Sequence, residues 1–116
     1  MEKVILKPWG SEQIVWKKGK QIIKNLIVKE GEQLSLQFHH KRNEDWIVRL
    51  GECEITIDDK VYQATANDRF SVPKLSKHRI KAITDTIVEE YSDNYDDKDI
   101  VRIEDDYGRI PEKENE

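Results

Sequence analysis

Apolar residues recur at every second position along most of the chain, and no stretch of a dozen residues places them at i, i+3, i+4 and i+7. Period-two alternation marks strands with one buried face, so the pattern predicts an all-β protein. Nine strands are expected, over residues 11–16, 21–29, 33–39, 45–50, 53–57, 61–64, 69–72, 78–83 and 86–91. Polar breaks separate them: Lys17-Lys18-Gly19-Lys20 supplies the glycine of a hairpin, and Glu30-Gly31, Gly51-Glu52, Asp58-Asp59-Lys60, Asn67-Asp68 and the Pro73 loop mark further turns. Many short strands with frequent turns mean a sandwich or barrel. From Ser92 onward the chain is acidic and polar, with Ile100, Val101, Ile103 and Tyr107 as its anchors. Residues 1–110 are therefore read as one barrel domain with a packed C-terminal extension, and residues 111–116 as a flexible tail.

Strand parity picks out unusual polar positions. Gln33, Ser35, Gln37 and His39 share one face of their segment, and Leu34, Leu36 and Phe38 the other. Glu44 shares parity with Trp46, Val48 and Leu50, an interior set, and His78 shares parity with Ile80 and Ala82. Gln37, His39, Glu44 and His78 are therefore expected to point inward. Buried unpaired, each neutral group would cost about 1 to 3 kcal/mol and the carboxylate more, whereas one shared divalent cation satisfies all four. His40 has the opposite parity and is assigned to the outer face. Amide, imidazole and carboxylate ligands suit zinc, manganese, cobalt, nickel or iron. An open position at a barrel mouth implies a catalytic ion. The bland alternative, a Gln and a His two residues apart facing solvent, is set aside because Glu44 and His78 converge on the same interior.

Composition narrows the class. With 116 residues, 36% hydrophobic and 38% charged, the chain holds one core. Twenty Lys and Arg against 24 Asp and Glu leave a net charge of −4, which argues against nucleic-acid binding. No apolar run is long enough to cross a membrane, and Met-Glu-Lys-Val does not begin a signal peptide, so a cytoplasmic protein is expected. The single cysteine, Cys53, excludes an internal disulfide and a cysteine-built zinc cage. Alternating with Ile55 and Ile57, it reads as a buried small hydrophobe rather than a nucleophile.

Gly31, Gln37-Phe38-His39, Glu44 and Gly51, followed by Pro73, His78 and Arg79, resemble the two-part cupin motif with Gln in place of the first histidine. Lys7-Pro8-Trp9-Gly10, Arg42-Asn43-Glu44-Asp45-Trp46, Lys77-His78-Arg79 and the segment from Asp99 to Arg109 extend the resemblance to the C-terminal cupin domain of type II mannose-6-phosphate isomerases. The resemblance covers nearly the whole chain. It implies metal ligands at Gln37, His39, Glu44 and His78, with zinc as the leading ion. It also implies a functional arginine at Arg42. In that family the domain commonly follows a guanylyltransferase domain, which these residues do not include, so no nucleotidyl transfer is expected of them. Lys7 stands where the family has Arg, Lys41 replaces a histidine, and Asn43 and Asp45 replace Ala and His. Leu75 replaces a loop glycine, so the loop before His78 is expected to take a different shape.

The implied activity is interconversion of mannose 6-phosphate and fructose 6-phosphate, with Arg42 and Glu44 as the catalytic pair. Arg42, Lys77, Arg79 and Lys7 are the cations expected to meet the phosphorylated sugar, although parity turns Lys77 and Arg79 outward. Trp46 walls the pocket or fills the core. The alternatives are another metal-cupin enzyme (a lyase, oxygenase or epimerase) and a non-catalytic sugar or nucleotide-sugar binding module. Trp9 and Trp16 read as packing residues, and the acidic run from Asp93 to Asp99 as solvated surface, since it lacks the ligand spacing of a calcium loop. Leu34, Leu36 and Phe38, on the outer wall, call for cover by a second subunit, hence a homodimer.

Overall fold

The computed structural model describes residues 3–110. It contains eleven strands among those residues: β1 Lys3–Lys7, β2 Gly10–Lys18, β3 Gln21–Val28, β4 Leu36–Phe38, β5 Glu44–Leu50, β6 Glu52–Ile57, β7 Lys60–Thr65, β8 Arg69–Val72, β9 His78–Ala82, β10 Thr86–Ser92 and β11 Val101–Glu104. All nine expected strands are present. The additions are β1, which pairs with β2, and β11, which pairs with β4. The tail expected over 111–116 lies outside the described residues.

The strands form two antiparallel sheets, one ordered β1-β2-β3-β10-β5-β8 and the other β11-β4-β9-β6-β7. Alternation dictates what lies between them. Ile22, Leu26 and Val28 of β3, Trp46 and Val48 of β5, Cys53 and Ile55 of β6, Ile80 and Ala82 of β9, and Val88 of β10 are all buried. Trp9 and Leu34 join the same core. Trp9 and Cys53 thus pack as the sequence suggested, whereas Trp16 is exposed.

Two parity expectations fail for local reasons. The segment expected as one strand over 33–39 is regular only in β4, with Gln33 held by an isolated bridge to Lys81. Freed from strict alternation, Leu34 and Ser35 are both buried, and Leu34 belongs to the core rather than the outer wall. Leu36 and Phe38 are half-buried, so the argument for a second subunit loses one of its three residues. Leu50 leaves the interior because the β5–β10 register shifts between Ile87 and Val88.

The loop before His78 is the third correction. Leu75 adopts φ of +69°, the left-handed conformation a glycine would take, so the loop keeps its turn with a leucine in it. Ser76 N–H closes that turn on the Pro73 carbonyl, as in a type II turn. The Leu75 side chain is exposed and escapes any clash. Its N–H donates to the His39 carbonyl at 2.7 Å, tying the two histidine-bearing segments together.

Candidate metal centre and adjoining cavity

Glu44 opens β5, His78 opens β9, and His39 directly follows β4. Their side chains are buried and converge: His39 Nε2 lies 3.2 Å from Glu44 Oε2, and His78 Nε2 lies 3.9 Å from Glu44 Oε1. One potential ligand atom from each residue falls within 4.8 Å of the others. Gln37 faces His78 directly across β4 and β9, the same side of the sheet. Its amide oxygen accepts from the Ser35 hydroxyl at 2.5 Å. His40 is exposed, its ring edge-on to Phe38, and is not in the cluster.

Hydrogen bonding sets the tautomers. His39 Nδ1 is 2.5 Å from the Asp99 carbonyl, and His78 Nδ1 is 2.9 Å from the Ser76 carbonyl. A carbonyl only accepts, so each Nδ1 carries the proton and each Nε2 presents a lone pair. Two imidazole lone pairs and a carboxylate therefore face one another, a donor set that a divalent cation would satisfy. His78 Nε2 and Glu44 Oε2 are buried without hydrogen-bond partners. Glu44 Oε1 accepts from the Trp46 indole N–H at 2.8 Å. These donors, with imidazoles oriented by backbone carbonyls, fit a divalent metal ion.

Electrostatics agree. Burial alone would raise the Glu44 carboxyl, but His39, His78 and Arg42 outweigh it and hold the group below the usual carboxylate range. Burial holds the His78 imidazole below its ordinary value despite Glu44, favouring the neutral form that a metal needs.

Arg42 connects this cluster to a cavity. Its Nη2 lies 2.5 Å from His39 Nε2, and its Nε is 2.9 Å from Glu44 Oε2, though not in hydrogen-bonding alignment. The same side chain lines a cavity of about 270 Å³ with Lys7, Trp9, Glu12, Lys24, Leu34, Gln37, Glu90, Tyr95, Arg102 and Arg109 among its walls. Lys24 is buried; its Nζ donates to Glu12 and to the Tyr95 hydroxyl, both at 3.0 Å. Burial alone would lower its pKa, yet Glu90 and Glu12 raise it and keep it charged. Burial and the charge of Glu44 push the Glu90 carboxyl up to about 8. Arg102 Nε is buried without a partner, and Arg109 is braced by both oxygens of Asp105.

Of the cations expected to meet a phosphorylated sugar, Arg42 and Lys7 line the cavity and Lys77 and Arg79 do not. Lys77 is exposed beside Asp58, while Arg79 donates to the Leu34 carbonyl and pairs with Glu104. Trp46 is buried under the cluster, its ring edge-on to His78 at 5.5 Å.

Sequence reading missed Lys24, Glu90, Tyr95, Arg102 and Arg109. For two of them the signal was present: Lys24 shares parity with Ile22, Leu26 and Val28, and Glu90 with Val88 and Ser92, all buried. The run read as solvated surface is instead partly structural. The Asp99 carboxylate accepts the His40 and Lys41 backbone N–H groups, and Asp93 accepts that of Asn43.

Two facing antiparallel sheets with a histidine and carboxylate cluster between them define a cupin. The fold matches an RmlC-like cupin from Shewanella frigidimarina with a TM-score of 0.75 at 18% identity, covering 83% of this chain and 86% of that one. The chain belongs to the mannose-6-phosphate isomerase C-terminal family, whose pattern matches residues 1–105. The alginate biosynthesis protein AlgA of Pseudomonas aeruginosa is 41% identical over 112 residues, 93% of this chain and 23% of AlgA. Mannose-1-phosphate guanylyltransferase ManC of Salmonella typhimurium is 32% identical over 114 residues, 95% of this chain and 24% of ManC. The chain thus spans about a quarter of the length of these curated relatives.

Proposed function

We propose that the chain is a metal-dependent isomerase that interconverts mannose 6-phosphate and fructose 6-phosphate. His39, Glu44 and His78 would hold one divalent ion, zinc foremost, with Gln37 as a fourth ligand. Arg42 carries the reading, because one side chain touches the cluster and lines the cavity, making the two a single site. When bound, the ion supplies Lewis acidity for the negative oxygen that develops as the C2 proton leaves.

The chain's own groups supply the rest. The family assignment and the cationic wall together support a phosphorylated sugar. Arg102, with its unpartnered Nε, Arg109 and Lys7 would hold the phosphate. Arg42 would orient the oxygens nearest the cluster. Of the other cavity carboxyls, Glu12 is bound to Lys24, and Asp97 accepts from the Tyr95 hydroxyl. Glu90 accepts from the Ser92 hydroxyl at 3.3 Å and sits beside Glu44, whose charge helps to push its carboxyl up. Glu90 is thus the carboxyl placed to move a proton between adjacent sugar carbons. Trp9, Leu26 and Leu34 supply the apolar wall that limits water.

The test is conversion of mannose 6-phosphate to fructose 6-phosphate by protein loaded with zinc, manganese, cobalt or iron. Glu90→Gln should lower kcat by about 100-fold or more, and Arg102→Ala should act mainly on KM. Sugar-phosphate binding without turnover under every metal would overturn the isomerase reading and leave a binding module.

A further inference from the structure

We infer that Asp99 is a positioning residue for the metal centre, setting both the orientation and the tautomer of His39; the inference rests on the metal reading above. Asp99 lies 60 positions from His39 in sequence and reaches it by two routes. Its carbonyl oxygen meets His39 Nδ1 at 2.5 Å. Its side-chain carboxylate accepts the backbone N–H groups of His40 at 2.8 Å and Lys41 at 3.0 Å, one from each oxygen. One residue therefore grips the backbone just after His39 and the ring of His39 itself.

Each grip has a chemical consequence. The backbone grip fixes the chain as it leaves β4, where regular pairing has ended and no sheet ladder holds it. The carbonyl grip makes Nδ1 the proton-bearing nitrogen and leaves the Nε2 lone pair facing Glu44. Arg42 Nη2 lies 2.5 Å from His39 Nε2 and 3.0 Å from Nδ1; a guanidinium only donates, so the shorter contact is the hydrogen bond to the Nε2 lone pair. Asp99 is itself anchored, its N–H donating to the Asp96 carbonyl at 2.9 Å. His78 gets its carbonyl from Ser76 two residues away in its own turn. His39 depends on a distant segment instead.

Removal of such an outer partner lowers metal affinity by about 10- to 100-fold in comparable sites. The experiment compares wild type, Asp99→Ala and Asp99→Asn by zinc titration and by the absorption spectrum of bound cobalt(II). Long-range ¹H–¹⁵N NMR of the histidine rings in metal-free protein supplies a readout independent of any ion. Wild type should show His39 protonated at Nδ1. Asp99→Ala should lose 10- to 100-fold in zinc affinity, shift the cobalt spectrum and populate the Nε2-protonated form. Asp99→Asn keeps one acceptor oxygen and should recover part of each loss. If Asp99→Ala does not fold, Asp99→Asn decides, with a loss of affinity and a mixed tautomer expected. Unchanged affinity and tautomer in a folded variant would overturn the positioning role while leaving the metal site intact. Wild type that binds no metal would overturn the metal reading itself.

Discussion

The indole N–H of Trp46 donates to Glu44 Oε1 at 2.8 Å, from two positions further along the same strand face. The strand therefore carries a carboxylate and the group that aims it, and leaves Oε2 toward His39. Trp46→Phe keeps the ring and removes the donor. It is expected to loosen zinc by several-fold and to lower stability by about 1–3 kcal/mol through the unsatisfied buried oxygen and lost volume. Zinc titration and urea denaturation read the two effects separately.

The three histidines separate by position. His39→Ala and His78→Ala should each abolish stoichiometric metal binding, since each removes a buried imidazole from the cluster. His40→Ala should leave binding intact, because its side chain is exposed against Phe38. Elemental analysis after dialysis against zinc decides; loss of metal in His40→Ala would show the cluster to be wrongly composed.

Two left-handed residues respond in opposite ways. A Cβ on Gly51, at φ of +87°, would stand 2.1 Å from the Asp85 carbonyl oxygen. Gly51→Ala should therefore cost about 2–4 kcal/mol. Leu75 holds φ of +69° with an exposed side chain. Leu75→Gly relieves about 1–2 kcal/mol of backbone strain, more than the roughly 0.5–1 kcal/mol returned by a freer unfolded chain. A modest rise in Tm is expected, and a fall would mean that the leucine side chain contributes to packing.

Burial and the charge of Asp68 push the Cys53 thiol up to about 11. An ordinary thiol titrates near about 8.5, so above that pH the unfolded chain loses a proton that the folded chain keeps. The stability linked to Cys53 is complete below about pH 8.5 and declines as pH rises toward 11. Native protein should resist a thiol-specific disulfide reagent at pH 8 and react at once in urea. Cys53→Ala should be less stable than wild type by a constant amount below about pH 8.5, and the gap should narrow only on the alkaline side.

Much of this was legible in the residues, and the failures have physical causes. Period two located β3, β5, β6, β9 and β10, and with them the inward Glu44 and His78. It misjudged Leu34 because alternation holds only where a ladder enforces the pleat, and residues 33–35 have a single bridge. It sent Lys77 and Arg79 outward: Lys77 is exposed, but Arg79 is held half-buried against the Leu34 carbonyl and Glu104, while the substrate role suggested for them followed their closeness to His78 in sequence. The cations that do line the cavity include Arg102 and Arg109. They arrive through β11, whose pairing with β4 joins residues more than 60 apart and leaves no local sequence pattern.

That late pairing also bears on the order of assembly. The core layers close with β10, yet Tyr95, Asp99, Arg102 and Arg109 come afterwards in the chain. A nascent polypeptide emerging from the ribosome can thus bury its hydrophobic residues before it owns a finished pocket. Retention on a zinc-chelate resin, compared between chains halted after residue 92 and after residue 110, would time the moment at which a folded shell becomes a competent receptor.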